Sequence, residues 1–161
     1  MKELWLGAPV GEAQYVFLLP NEPILPDGCD ASFLRQPDIA LLIELNGNHW
    51  RKILTIMAKL TTPNYANWKV FRDNDLLNRI GITFSLDSLQ GYDGPLFIVG
   101  KTFFDRLPIP DSAVKLGSGN AHFASVCWPY IWCPYLDYRQ FPNILIESLR
   151  ECILEKSCLK R

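Results

Sequence analysis

The chain has 161 residues, 48% hydrophobic and 20% charged, a composition that fits one globular domain with its own core. Sixteen basic and seventeen acidic residues leave a formal net charge of -1, so no global field draws the chain to nucleic acid and only a local basic patch could do so. The five cysteines are odd in number and widely spaced, with no C-x-x-C pair, which argues against both a disulfide framework and a zinc site.

Residues 1–14 read as a polar lead-in containing glycine. Tyr15–Leu19 is a continuous apolar run closed by Pro20-Asn21-Glu22-Pro23, the pattern of a strand buried on both faces and followed by a turn. The run is too short to span a bilayer, and Glu12 and Asn21 bracket it, so neither a membrane span nor a signal peptide is expected. A cytoplasmic protein follows as the expectation. Residues 23–37 read as loop, and 38–45 as a short helix with Asp38 in its first turn.

After Asn46-Gly47, Asn48 is a good cap for a helix running to Leu60, with Trp50, Ile53, Leu54, Met57 and Leu60 on one stripe. Residues 61–72 read as a second loop. A short helix through Leu76, Leu77 and Ile80 is expected to close at Gly81, before a strand at 82–84. Pro95–Val99 is the second strong strand. Gly100 follows it directly, and 101–107 read as one or two helical turns stopped by Pro108 and Pro110.

Residues 111–120 are polar, 122–127 form a third strand candidate, and Trp128–Tyr135 has no clean period and reads as an aromatic loop. Pro142 opens a last helix with Ile144, Leu145, Leu149, Cys152 and Ile153 on one face. No repeat, low-complexity tract or linker divides residues 1–161, so a single α/β domain is expected.

Several chemistries fail on spacing. Gly117-Ser118-Gly119-Asn120 lacks the third glycine of a dinucleotide loop, and Gly100-Lys101-Thr102 lacks the upstream glycine of a phosphate loop. There is no Gly-x-Ser-x-Gly elbow, and only His49 and His122 could serve a triad. Cys127 or Cys133 with His122 would make a Cys–His arrangement if the fold brought them together. Two strand ends stand out. At the first, Asn21 offers an amide and Glu22 a carboxylate able to hold water. At the second, Trp128, Tyr130 and Trp132 could stack on a flat ligand such as a nucleobase.

Four segments carry a resemblance: Asn48-His49-Trp50-Arg51-Lys52-Ile53-Leu54, Leu76-Leu77-Asn78-Arg79-Ile80-Gly81-Ile82-Thr83, Phe97-Ile98-Val99-Gly100-Lys101, and Val126 to Pro134. Their order is similar to the uracil-DNA glycosylase superfamily, nearest to its mismatch-specific branch, over residues 15–150. The resemblance implies a three-layer α/β sandwich with a mostly parallel central sheet. It also implies a glycosylase that flips a base from the duplex and hydrolyses its N-glycosidic bond without cofactor or metal.

By position Asn21, helped by Glu22, would place the water, and Lys101 and Arg51 would touch phosphates. The residues after Asn21 depart from the branch's Asn-Pro-Gly, and Trp128–Trp132 is bulky where the family's loop is small. The alternatives are a domain of this lineage that has lost activity and binds a small planar ligand or another protein, and an unrelated α/β protein. Under the glycosylase reading Arg51, Lys101 and Arg139 should share the side of Asn21; under an adaptor reading Trp128 and Trp132 should form an exposed patch.

Overall fold

The computed structural model describes residues 4–118 and 122–159. Seven strands form one sheet: β1 (Trp5–Gly7), β2 (Tyr15–Leu18), β3 (Ile80–Thr83), β4 (Leu96–Val99), β5 (Val114–Ser118), β6 (His122–Cys127) and β7 (Tyr130–Cys133). Their spatial order is β1-β3-β2-β4-β7-β6-β5. The sheet is mixed. The four central strands β3, β2, β4 and β7 run parallel, whereas β1 pairs antiparallel with β3, and β5 and β6 add two antiparallel pairings at the other side. The expected mostly parallel sheet is therefore corrected: parallel pairing is confined to the centre, with β5, β6 and β7 joined antiparallel through short connections on one side and β1 added antiparallel at the other edge.

Six α-helices accompany the sheet: α1 (Ala31–Arg35), α2 (Ile39–Asn46), α3 (Asn48–Thr61), α4 (Trp68–Asn74), α5 (Leu76–Arg79) and α6 (Asn143–Leu159). The alternation of the central strands shows where they sit. Phe17, Phe97, Val99, Ile131 and Cys133 point into a large core to which all six helices contribute, through residues such as Phe33, Leu42, Leu54, Phe71, Leu77 and Leu149. Val16, Leu18, Leu96, Ile98 and Trp132 point the other way. There the cover is a 3-10 turn at Leu86–Leu89 and the segment holding Phe103, Phe104 and Leu107. The expected three-layer sandwich is thus corrected: among the described residues one face carries the helices and the other a thin layer of turns. Both faces are dry, which explains the unbroken apolar runs of β2 and β4.

Local signals explain most of the helices. The Asp38 carboxylate accepts from the Leu41 amide, so it is the cap of α2 rather than a first-turn residue. Gly47, with φ 75°, ends α2 and also precedes α3, whose first residue is Asn48. The expected stripe of α3 is buried, and so are Thr55, Ile56, Ala58 and Thr61, because α2, α4 and α6 also pack on this helix. The elements β1, α1 and α4 arise where a polar lead-in or loop was expected.

Gly81 does not close a helix. It lies in β3 opposite Gly7 of β1, where a Cβ would stand 2.5 Å from the Trp5 ring. Residues 101–107 form successive turns rather than a helix. Ile144 is exposed, while Leu145, Leu149 and Ile153 are buried as expected.

The largest difference concerns Trp128–Tyr135. Trp128 and Pro129 make a two-residue turn, and Tyr130–Cys133 is the strand β7 beside β4 in the middle of the sheet. Ile131 and Cys133 face one core and Trp132 the other. A strand apolar on both faces has no period to display. Strand β5 was missed for the opposite reason: it is the sheet edge, its Val114 is exposed, and its residues read as polar loop. Gly119 and Asn120 of the glycine pair considered above lie outside the described residues. Among the described residues, no helix is long and apolar enough to cross a membrane.

Candidate functional site

The sheet order creates one crevice. The chain leaves β2 to reach β3 on one side, then returns past β2 to place β4 on the other. Connections therefore depart in opposite directions from the carboxyl ends of β2 and β4, the arrangement that opens a ligand crevice in α/β sheets. A cleft of about 700 Å3 occupies this position, a volume suited to a small molecule. Pro20 and Asn21 enter it from the end of β2, Gly100, Lys101 and Thr102 from the end of β4, and Cys133, Pro134 and Tyr135 from the end of β7. Strand β6 runs antiparallel to β7, so its first residues His122, Phe123 and Ser125 reach the same end and close one wall.

A polar chain links two of the lining residues to α3. Tyr135 Oη lies 2.7 Å from His49 Nε2, and the two rings stack at 5.5 Å with 23° between planes. The Asn21 side chain makes a polar contact with the same hydroxyl. Burial raises the Tyr135 phenol above its ordinary value, the Asn21 contact draws it down, and the Asp137 carboxylate adds to the rise; the hydroxyl therefore stays protonated at neutral pH. On the opposite wall His122 Nδ1 donates to the Gln140 carbonyl at 3.4 Å, which leaves Nε2 as the remaining ring nitrogen. Trp132 is buried, and its indole N–H donates to the Leu107 carbonyl at 2.8 Å, tying the strand to the turns that follow β4. Phe104, Phe123 and Ile109 complete an apolar wall.

The structure brings Asn21, Lys101 and Trp132 into this cleft and separates the other candidates from it. Glu22 is exposed and does not line it. Arg51 is an exposed residue of α3, outside the lining, and Arg139 is exposed in the loop after Tyr135. Trp128 and Tyr130 stand at the amino end of β7, the opposite end of the parallel strands from Asn21. Tyr130 lines a separate groove with Leu86, Leu89, Tyr92 and Leu107. Trp128 packs partly buried against the helical core. Trp128 and Trp132 therefore do not form the exposed patch expected of an adaptor.

The two strand ends that stand out in the sequence lie at opposite ends of the sheet and do not flank one crevice. The register Leu96↔Tyr130 and Val99↔Cys133 puts Tyr135, not Trp128, beside Lys101. His49, Tyr135, Thr102, Ser125 and Gln140 were not singled out as site residues. The signal that finds Tyr135 is its place two residues beyond β7, legible only once β7 is recognised as a strand.

Cys133 and His122 both reach the cleft, but they do not form a nucleophile–base pair. Burial alone pushes the Cys133 thiol far up, and its Sγ lies 3.8 Å from the Ile98 carbonyl. Cys133 is accordingly expected to resist a thiol reagent in the native protein at pH 8 and to label only on denaturation. Mass-spectrometric mapping of the labelled cysteines checks this; rapid native labelling of Cys133 would show that the cleft exposes a reactive thiol. Among the described residues, no group of three or more His, Cys, Asp and Glu side chains could hold a metal ion.

Comparison with curated proteins and with solved structures finds no match. A family model matches residues 6–154, nearly the whole sheet and its helices, and the chain belongs to that family, described as a family of unknown function (DUF6942).

Proposed function

We propose that the cleft binds a small planar ligand with hydrogen-bonding edges, of which a nucleobase or nucleoside is the type, and that the chain acts without breaking a bond in it. The observation that supports this reading is the meeting, at the switch point of the sheet, of the Asn21 amide with walls made by Phe104, Phe123, Trp132 and Tyr135. Aromatic faces favour a flat ligand, and an amide offers both a donor and an acceptor to its edge. Among the described residues no carboxylate lines the cleft, so the usual carboxylate base for activating water is missing from it.

Titration of the protein with uracil, thymidine and adenosine, followed by tryptophan fluorescence and calorimetry, tests the proposal. At least one of them is expected to bind, and Asn21→Ala to weaken it about tenfold, as expected for loss of one hydrogen-bonding group facing the ligand. If no base or nucleoside binds, the reading fails.

A second reading is favoured by one observation: Asn21 and Lys101, which the glycosylase resemblance selects from separate segments, line the same cleft. In that reading Asn21 holds a water against the sugar carbon of a flipped nucleotide and the base departs. Base release from duplexes carrying uracil or mismatched thymine, lost in Asn21→Ala, would establish it and overturn the non-catalytic proposal.

A further inference from the structure

We infer that the turn after β4, Gly100–Lys101–Thr102, is an anion subsite of this cleft, and that the ligand carries a phosphate monoester: a small planar phosphomonoester such as a nucleoside monophosphate. The inference rests on the proposed planar-ligand reading for the planar part only. Four observations carry the anion.

Gly100 has φ 75°, a left-handed conformation that ends β4 abruptly, and its amide still donates to the Cys133 carbonyl at 3.0 Å. Beyond it, the backbone amides of Lys101 and Thr102 donate to no acceptor among the described residues, although both residues line the cleft. Successive free amides at a strand-ending turn are the donors that cradle phosphate oxygens.

The Lys101 side chain is exposed at the same place and forms no ion pair among the described residues. It supplies a full positive charge, and the Thr102 hydroxyl adds a donor. The remaining polar lining is Asn21, His122, Ser125, Tyr135 and Gln140, with no Asp or Glu among the described residues. A cleft that holds an unpaired lysine and excludes carboxylates attracts an anion, although the chain as a whole is weakly negative.

Phe123 and Trp132 line the same cavity of about 700 Å3 as the β4 turn. A ligand with a flat part for these aromatic side chains and a phosphate for the turn suits that lining. A carboxylate would use fewer of the available donors than a phosphate, which has three terminal oxygens.

Amide-detected NMR on the full chain tests the subsite. The probes are inorganic phosphate, nucleoside monophosphates, the matching nucleosides, and a short duplex without terminal phosphates. Inorganic phosphate and the monophosphates are expected to shift the Lys101 and Thr102 amides. The monophosphate should bind at least about tenfold more tightly than its nucleoside, the gain of a charge-assisted contact. Lys101→Ala should remove most of that gain, and Arg51→Ala, on an exposed residue outside the cleft, should leave it intact.

If phosphate leaves these amides unmoved, or if monophosphate and nucleoside bind equally, the anion subsite is overturned even where nucleosides bind. Equal losses in the two variants would also overturn it, because they would report long-range charge rather than a local site. Shifts at the β4 turn with the duplex but not with the monophosphates would replace the small ligand with a nucleic-acid backbone and overturn the proposal. Phosphate shifts at the turn without any binding by nucleosides would leave the subsite standing and remove the planar-ligand reading.

Discussion

Phe97→Ala is expected to cost about 3–5 kcal/mol of folding stability, the largest single loss in the sheet. Phe97 is fully buried in β4, the strand flanked by β2 and β7. Its ring stacks on Phe17, its direct partner across the ladder, at 4.4 Å with 5° between planes, and lies tilted against Tyr15 at 6.3 Å. Truncation removes the buried area, leaves a cavity between rigid strands that cannot collapse, and breaks an aromatic pair. Since small domains hold about 5–15 kcal/mol in total, the variant should be close to unfolding at 37 °C. Urea titration checks this: the midpoint should fall while the slope stays constant. A loss near 1 kcal/mol would mean that the helical face of the sheet repacks easily and is not the rigid floor under the cleft.

The second large effect is expected at Gly7→Ala, a change that adds a single methyl group. Gly7 has φ 87°, and a Cβ there would stand 2.4 Å from the Ile80 carbonyl oxygen, a backbone atom with no rotamer to yield. The strain of the left-handed conformation contributes about 1–2 kcal/mol, and the collision contributes about 1–3 kcal/mol more through backbone displacement. The penalty falls on the β1–β3 pairing, where Gly7 faces Gly81 and the Trp5 ring crosses over Gly81. Its indole N–H donates to the Ala8 carbonyl at 2.8 Å, which fixes the ring in place. Urea denaturation should show the loss. Hydrogen exchange should show early opening of β1 relative to β4 if the strain is local. Unchanged stability would mean that β1 is not held in the register described.

Both variants bear on the candidate site through the same frame. The cleft depends on β2, β4 and β7 ending at one level, because Asn21, Lys101 and Tyr135 come from the three strand ends. Phe97 holds the middle of that frame. Gly7 lies at the far side of β3, so its strain should weaken the fold without altering the cleft's polar groups.

Patterns of residue type determined part of this. Tyr15–Leu18 and Leu96–Val99 are strands because short apolar, β-branched and aromatic runs between turn residues have few alternatives. The stripe Trp50–Leu60 determined α3, and Asp38 determined the start of α2 through its cap. Asn21 could be chosen from the sequence because it follows a strand whose carboxyl end is recognisable locally, whereas Lys101 entered only through the glycosylase resemblance.

Only the tertiary structure decided the rest. Strand β7 carries Trp132 on one buried face and Ile131 and Cys133 on the other, so burial of both faces erased the alternation that would have marked it. Once β7 pairs with β4, its direction sends Tyr130 to one end of the sheet and Tyr135 to the other; that register is set by contacts distant in sequence. The link from His49 to Tyr135 spans 86 residues, and no local pattern records it. The antiparallel flanks and the one-sided placement of the helices follow from which strands find each other, a choice made by burial of the whole core rather than by any one segment.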